Sequence, residues 1–205
     1  MHLVCLDLEG VLVPEIWINF AEATGIEELR LTTRDIADYD VLMKRRLGIL
    51  KENGLKLTDI QTVIARMDPL PGASEFVQQL NEMTQMIILS DTFMQFAKPL
   101  MRKLGWPTLF CNTLVLDSDQ AVVDYRLRIR EGKKKAVEAF TAIGYDVVAS
   151  GDSYNDISML EAAKCGVLFR PPDTIKDEYP QFPVAHSHDE LMEAITNAIA
   201  TLPQE

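Results

Sequence analysis

Two acids two residues apart, Asp7 and Glu9, stand in Asp7-Leu8-Glu9-Gly10-Val11, directly after the apolar run Leu3-Val4-Cys5-Leu6. On an extended backbone, alternation puts both carboxylates on one side, and Gly10 lets the chain turn so that amides approach an anion closely. Acids paired in this way serve as nucleophile and general acid/base. Three more polar groups stand out, two of them directly after apolar runs. Ser90-Asp91-Thr92 succeeds Met86-Ile87-Ile88-Leu89 and offers hydroxyls and amides to a phosphate. Lys133-Lys134-Lys135 follows Gly132 at a helix start, where one ammonium turned inward would neutralise phosphate and the other two would sit in solvent. Gly151-Asp152-Ser153-Tyr154-Asn155-Asp156 succeeds Val147-Val148-Ala149, and its carboxylates, converging with Asp7, would form a hard oxygen site suited to Mg²⁺. Each fragment alone has an ordinary explanation as a helix cap or a solvated face. Four of them in order leave that explanation little room, because ligands bind at the carboxyl ends of parallel strands.

The elements that must position these residues read as a parallel sheet with covering helices. Continuous apolar runs at Leu3–Leu8, Met86–Leu89, Val147–Ala149 and Val167–Phe169 predict strands buried on both faces, with a weaker strand at Val184–Ala185. Between Thr108 and Leu127, two β-rich runs flank Asp117-Ser118-Asp119-Gln120 and predict a hairpin beside the main sheet. Thr58-Asp59-Ile60-Gln61 and Ser187-His188-Asp189-Glu190 fit capping boxes. Gly25, Gly54, Gly105, Gly144 and Gly166 fall where helices should stop. Pro99 predicts either a kink in a helix over Phe93–Leu104 or a start near Ala97. From about Pro14 to Asp68 three or four helices follow with no strand between them, and Pro69-Leu70-Pro71-Gly72 marks a hinge beyond them. The expected organisation is therefore a core formed by residues 1–13 and 70–205, with an inserted helical unit at 14–69.

The bulk numbers set the class. At 205 residues, with 47 % hydrophobic and 25 % charged, the chain is an ordinary globular sequence. A net charge of −11 argues against nucleic acid or an anionic membrane as partner, since both require a clustered positive field. It does not argue against a homodimer. Cys5, Cys111 and Cys165 lie far apart in apolar runs without metal-binding spacing and read as buried reduced thiols. No signal sequence and no membrane-spanning run are found, so a cytoplasmic location is expected.

Asp7 to Val11, Ser90, Lys133 and Gly151 to Asp156 resemble, in order, the four motifs of the haloacid dehalogenase superfamily, over nearly the whole chain. The resemblance implies an α/β fold: a Rossmann-like three-layer α/β/α core with a parallel sheet and an inserted all-helical cap of the superfamily's first type. Gly151-Asp152-Ser153-Tyr154-Asn155-Asp156-Ile157-Ser158-Met159 is similar to the phosphoserine phosphatases. That likeness implies Asp7 as nucleophile and Mg²⁺ held by Asp7, the backbone carbonyl of Glu9, and Asp152. It also implies a phosphate cradle of Ser90, Asp91, Thr92, Lys133 and Asn155, with Gly10 and Asp156 in support. Glu15 and Arg46 stand where the family's substrate-binding pair stands, one for an ammonium and one for a carboxylate, with Arg45 the neighbouring alternative. Glu9 departs from the family, whose members carry aspartate there. Asp7-Leu8-Glu9-Gly10-Val11-Leu12-Val13-Pro14-Glu15-Ile16-Trp17 is similar to a bacterial subgroup, ThrH, that adds phosphoryl transfer to homoserine.

Two other readings compete with a phosphoserine phosphatase. One is a related phosphatase for a nucleotide or sugar phosphate; the other is a non-catalytic phosphate-binding module disabled by Glu9. His186 and His188 read as capping or surface groups, Met83 and Met86 as core filler, and Trp17, Phe93 and Phe96 as pocket lining or packing.

Overall fold

The computed structural model of the chain describes residues 1–33, 35–36 and 38–202. Among these residues, seven strands form one sheet: β1 (His2–Leu6), β2 (Gln85–Phe93), β3 (Leu109–Leu116), β4 (Val122–Arg126), β5 (Asp146–Gly151), β6 (Cys165–Phe169) and β7 (Val184–Ala185). Their order is β4-β3-β2-β1-β5-β6-β7, parallel throughout except for β3 against β4. Strand β1 lies between β2 and β5, so the residues leaving its carboxyl end emerge at the middle of the sheet.

Alternation along the buried strands divides the core into two layers. Val4, Leu6, Ile88, Val148 and Val167 pack on one side with Phe76 and Leu80 of α4 (Ala73–Met83), Phe96 and Leu100 of α5 (Met94–Lys103), and Leu191 and Ile195 of α9 (His188–Thr201). Leu3, Cys5, Leu89, Val147, Ala149 and Leu168 pack on the other with Val137 of α6 (Gly132–Ala142), Leu160 of α7 (Tyr154–Ala162) and Ile175 of α8 (Asp173–Glu178). The result is a three-layer α/β/α arrangement. Between β1 and α4 the described chain holds only helices: α1 (Ile16–Thr24), a 3-10 turn at Glu27–Arg30, α2 (Tyr39–Glu52) and α3 (Leu57–Ile64). Phe20, Leu29, Met43, Leu50 and Ile60 of that segment join the first layer's apolar cluster. No helix of the described residues is long and apolar enough to cross a membrane.

Several local expectations are corrected. Strand β1 stops at Leu6 and the chain turns, so Asp7 and Glu9 do not share one extended face; Leu12 and Val13 donate to the Leu8 carbonyl at 2.8 and 3.0 Å. The β3–β4 hairpin continues the main sheet, because β3 pairs in parallel with β2. Helix α5 starts at Met94, upstream of Ala97, with Pro99 inside it. Proline removes the amide that would meet the Gln95 carbonyl, and Gln61 Nε2 of α3 donates to that oxygen instead at 2.9 Å. Helix α3 is capped at Lys56, two residues before Thr58, where Asp59 accepts from the Lys56 amide at 2.8 Å and Leu57 enters the core. Ser187 caps α9 by accepting from the Glu190 amide, while the Glu190 carboxylate reaches past it to the His186 amide. Gly166 ends no helix. It lies within β6, where a Cβ would come within 2.8 Å of the Phe182 ring and 2.9 Å of Leu160 Cβ. Met83 is exposed at the end of α4 while Met86 is buried, and His188 is buried while His186 is exposed.

Candidate active site

At the carboxyl end of β1, the Asp7 amide still donates to Ser150 of β5 at 2.9 Å, which carries the sheet's register one residue past the strand. The Asp7 carboxylate is thereby fixed beside Lys133, the second residue of α6, whose Nζ lies 2.9 Å from Asp7 Oδ1 and 2.7 Å from Asp156 Oδ1. Asp156, on α7, is fully buried, and its other oxygen accepts from the amides of Asp152 and Ser153 at 3.0 and 3.1 Å. A Cβ at Gly151 would overlap the Asp156 carboxyl, and one at Gly10, whose φ is +81°, would overlap that of Asp152, so glycine at both positions lets the carboxylates close in.

Asp7, Asp152 and Asp156 each offer an oxygen within 4.8 Å of the others. Burial, then the Asp156 carboxylate, push Asp7 well above the usual carboxylate range, while Lys133 pulls it down. Burial works against the Lys133 ammonium, but Asp156, Asp7 and Asp91 outweigh it and hold it charged. Three buried carboxylates facing one ammonium leave an excess of negative charge in a place where water cannot screen it. Its all-oxygen donor set fits a hard divalent cation.

Strand β2 runs through Ser90, Asp91 and Thr92, so this triplet belongs to the strand and does not open a helix. Ser90 Oγ accepts from the Thr92 amide at 3.2 Å, and Asp91 Oδ2 accepts from Asn155 Nδ2 at 3.1 Å. The remaining lysines of the run stay half-exposed, Lys134 near Glu138 and Lys135 near Glu131. Gly10 does not present its amide to the cleft, since it donates to the Val13 carbonyl at 2.8 Å.

The other end of the cleft comes from the helical segment. Glu9 Oε2 accepts from the Ile16 amide at 2.8 Å, so the extra methylene over aspartate lets this carboxylate sit on the free amides that open α1. Burial, then the neighbouring Glu15 carboxylate, push Glu9 up to about 8, against the Ile16 amide, Arg46 and Thr92. Arg46 is 6 % exposed and lies 4.5 Å over the Trp17 ring, with Nη2 donating to the Leu31 carbonyl at 2.9 Å. Its Nε is buried without a hydrogen-bond partner among the described residues. Burial lowers it to about 10, opposed by Glu9, Tyr39 and Glu15.

One cleft brings together Asp7, Glu9, Glu15, Arg46, Ser90, Asp91, Thr92, Lys133, Asp152 and Asn155, with Asp156 behind Lys133. Arg45 lies outside it, exposed in a shallow groove with Lys44 and Glu52. Trp17 and Phe93 line the cleft, whereas Phe96 packs edge-on to Trp17 at 5.6 Å. Sequence reasoning missed Thr32, Thr33 and Tyr39, which also line it. Tyr39 donates from its hydroxyl to the Asp91 carbonyl at 3.0 Å. Its only sequence signal is its place after Asp38, whose carboxylate caps α2 by accepting from the Val41 amide at 3.0 Å.

The family model described as haloacid dehalogenase-like hydrolase matches residues 1–164. A protein named phosphoserine phosphatase ThrH from Pseudomonas aeruginosa is 58 % identical over 191 residues, covering 93 % of each chain. Another named phosphoserine phosphatase, from Pseudomonas syringae pv. tomato, is 57 % identical over 97 % of this chain and 84 % of that protein. Among solved structures, a phosphoserine phosphatase in apo form superposes with a TM-score of 0.76 at 23 % identity, over 95 % of this chain and 98 % of that one, which shows the shared fold. The chain belongs to the haloacid dehalogenase-like hydrolases, an enzyme family in which it groups with the phosphoserine phosphatases.

Proposed function

We propose that this enzyme is a Mg²⁺-dependent phosphoserine phosphatase that forms an aspartyl-phosphate on Asp7 and passes the phosphoryl group to water or to homoserine. The observation that carries the reading is the pairing, in one cleft, of a buried carboxylate braced by Lys133 with a buried guanidinium whose Nε lacks a partner among the described residues. The names of the two Pseudomonas relatives support the substrate, and the likeness of Asp7 to Trp17 to the ThrH subgroup supports the acceptor.

Asp7 attacks phosphorus in line; the new P–O bond forms as the bond to the seryl oxygen breaks. Ser90, Thr92 and Lys133 receive the phosphoryl oxygens, and Asp156 orients Lys133. Asp7, Asp152 and the Glu9 carbonyl would hold Mg²⁺, which would supply positive charge against those oxygens. A carboxyl raised to about 8 carries its proton at neutral pH, so Glu9 protonates the departing seryl oxygen and then takes a proton from the water or alcohol whose oxygen bonds to phosphorus as the bond to Asp7 breaks. Arg46 forks the substrate carboxylate and Glu15 pairs with its ammonium. Residues 14–69 act as a cap that closes on the core of 1–13 and 70–205 and limits access of water to the intermediate.

The test is turnover of phosphoserine with Mg²⁺ by the wild type and by Asp7→Asn, together with trapping and mass spectrometry of the intermediate. Loss of about 10³-fold or more in kcat and a phosphorylated peptide containing position 7 are expected. Retained activity in Asp7→Asn refutes the nucleophile; faster turnover of a sugar phosphate lacking both amino-acid charges refutes the substrate. Adding homoserine should yield phosphohomoserine, and inorganic phosphate alone would refute the transferase half.

A further inference from the structure

His188 is a buried titratable group with no part in the reaction proposed above. It is 5 % exposed and lies between Phe169 and Phe76, with ring centroids 4.8 and 5.2 Å away. Its Nε2 is 2.9 Å from the Val11 carbonyl oxygen and its Nδ1 is 3.1 Å from that of Pro71. Val11 lies on the passage of the chain from β1 into the helical segment, and Pro71 lies on the passage back to α4. The two passages are also bonded to each other, Leu70 N donating to the Leu12 carbonyl at 2.9 Å. The first is knotted on itself through the Leu8 and Val13 carbonyls, only one residue beyond Asp7. One side chain of α9 therefore reaches both backbone passages at once.

Carbonyl oxygens only accept. The imidazolium form of the ring donates to both, whereas either neutral tautomer donates to one and turns a lone pair on the other. Val11, Pro71, Phe76 and Phe169, which surround the ring, carry no charge. The charged groups on the packed elements are Glu75 and Glu82 on α4, Asp189, Glu190 and Glu193 on α9, and Arg170 after β6. Arg170 lies over Phe169 and donates to the His186 carbonyl, and Glu190 accepts from the His186 amide.

We propose that His188 is a positioning residue: donating to both passages, it pins the hinge of the helical segment and, through the knotted turn, the Asp7–Glu9 pair. This rests on the reading that residues 14–69 close over the site, and its test is arranged to stand without that reading. His188→Phe keeps the ring stack and donates to neither carbonyl, while His188→Gln donates through a single amide group. Amide hydrogen exchange at Leu70 and Val13 should rise about tenfold in the Phe variant and less in the Gln variant, with the β1–β5 amides as protected as in the wild type. With phosphoserine, KM should rise and kcat fall together, each several-fold, with Gln partly rescuing both. A merely structural histidine would loosen the β1–β5 amides as well and leave KM unchanged, and that result overturns the proposal. The wild type alone offers a second measurement, nuclear magnetic couplings across the hydrogen bonds from both ring nitrogens to the Val11 and Pro71 carbonyl carbons. Both couplings are expected, and finding only one refutes the double donation. Exchange and couplings need no substrate, so absence of phosphoserine turnover would refute the proposed function while these readouts decide the role of His188.

Discussion

At the sheet end of the cleft, Asp7, Lys133, Asp152 and Asp156 come from three stretches of chain and are already locked together, with Lys133 Nζ within 2.9 Å of two carboxylates and Asp156 accepting from two amides. At the helical end, Arg46 rests on a ring face and one carbonyl, and its Nε has no partner among the described residues. The difference teaches how work is divided. A parallel sheet fixes strand ends to one another through backbone ladders, so groups attached there are preorganised before any ligand arrives. A helical segment joined by two chain crossings fixes its side chains less completely, and it leaves the Arg46 Nε donor without a partner among the described residues.

The sharpest way to break this contrast is at Lys133. Lys133→Met leaves Asp7 and Asp156 without their shared ammonium in a buried site, which costs on the order of 3–5 kcal/mol of stability. It should also lower kcat/KM by about 10³-fold, equally for phosphoserine and for p-nitrophenyl phosphate. Denaturant midpoints and the two rates check this. A loss confined to phosphoserine would put Lys133 on the recognition side. Arg46→Lys should do the reverse: kcat/KM for phosphoserine falls about 10²-fold, mainly through KM, because a point charge replaces a planar fork. Turnover of p-nitrophenyl phosphate should stay within about threefold of wild type. An equal loss on both substrates would erase the division between the two ends.

The sheet end was legible in the sequence because each of its strands is a continuous apolar run that stops at a polar residue, as at Leu6-Asp7 and Gly151-Asp152. The extension of β2 through Ser90-Asp91-Thr92 was not, since three polar residues in a row hide a strand whose backbone bonds with β3 carry it to Phe93. At the helical end Glu15 and Arg46 were found by resemblance. Tyr39, Thr32 and Thr33 were not, because a loop and a helix start inside an insert reveal nothing about which side faces the core. His188 escaped for a related reason. Its neighbours Ser187 and Glu190 gave a capping signal that explained the stretch without it, and its two acceptors lie more than a hundred residues away.

Glu9 sits where the two ends meet and allows a finer test by pH. Its folded-state value of about 8 lies above the ordinary 4.5, so the folded protein binds this proton more tightly than the unfolded chain does. The resulting stability is fully present below about 4.5 and is lost as pH rises through about 8. Glu9→Gln keeps an oxygen for the Ile16 amide and has no proton to lose. Metal-free wild type should therefore lose stability relative to the variant between pH 5 and 8.5, by on the order of 1 kcal/mol given its partial exposure. Urea midpoints at the two pH values measure it. Parallel curves would mean that Glu9 is solvated like an ordinary surface acid.

The smallest effect is expected at Tyr39, a side chain of the helical segment that donates a hydrogen bond to β2. Its hydroxyl shares the Asp91 carbonyl with Asn112 Nδ2, which lies 3.1 Å from the same oxygen. Removing the hydroxyl leaves that acceptor satisfied, so Tyr39→Phe forgoes one net hydrogen bond and creates no buried orphan, a loss of about 0.5–1 kcal/mol. If the bond forms only when the segment is closed, this loss falls on substrate binding, and KM for phosphoserine rises about threefold with kcat and p-nitrophenyl phosphate turnover unchanged. If it persists in every state, the same loss shows in the denaturant midpoint and KM does not move. The double variant Tyr39→Phe/Asn112→Ala strips both donors from Asp91. It should cost more than the sum of the single variants, because only then does the half-buried Asp91 carbonyl lose both side-chain donors.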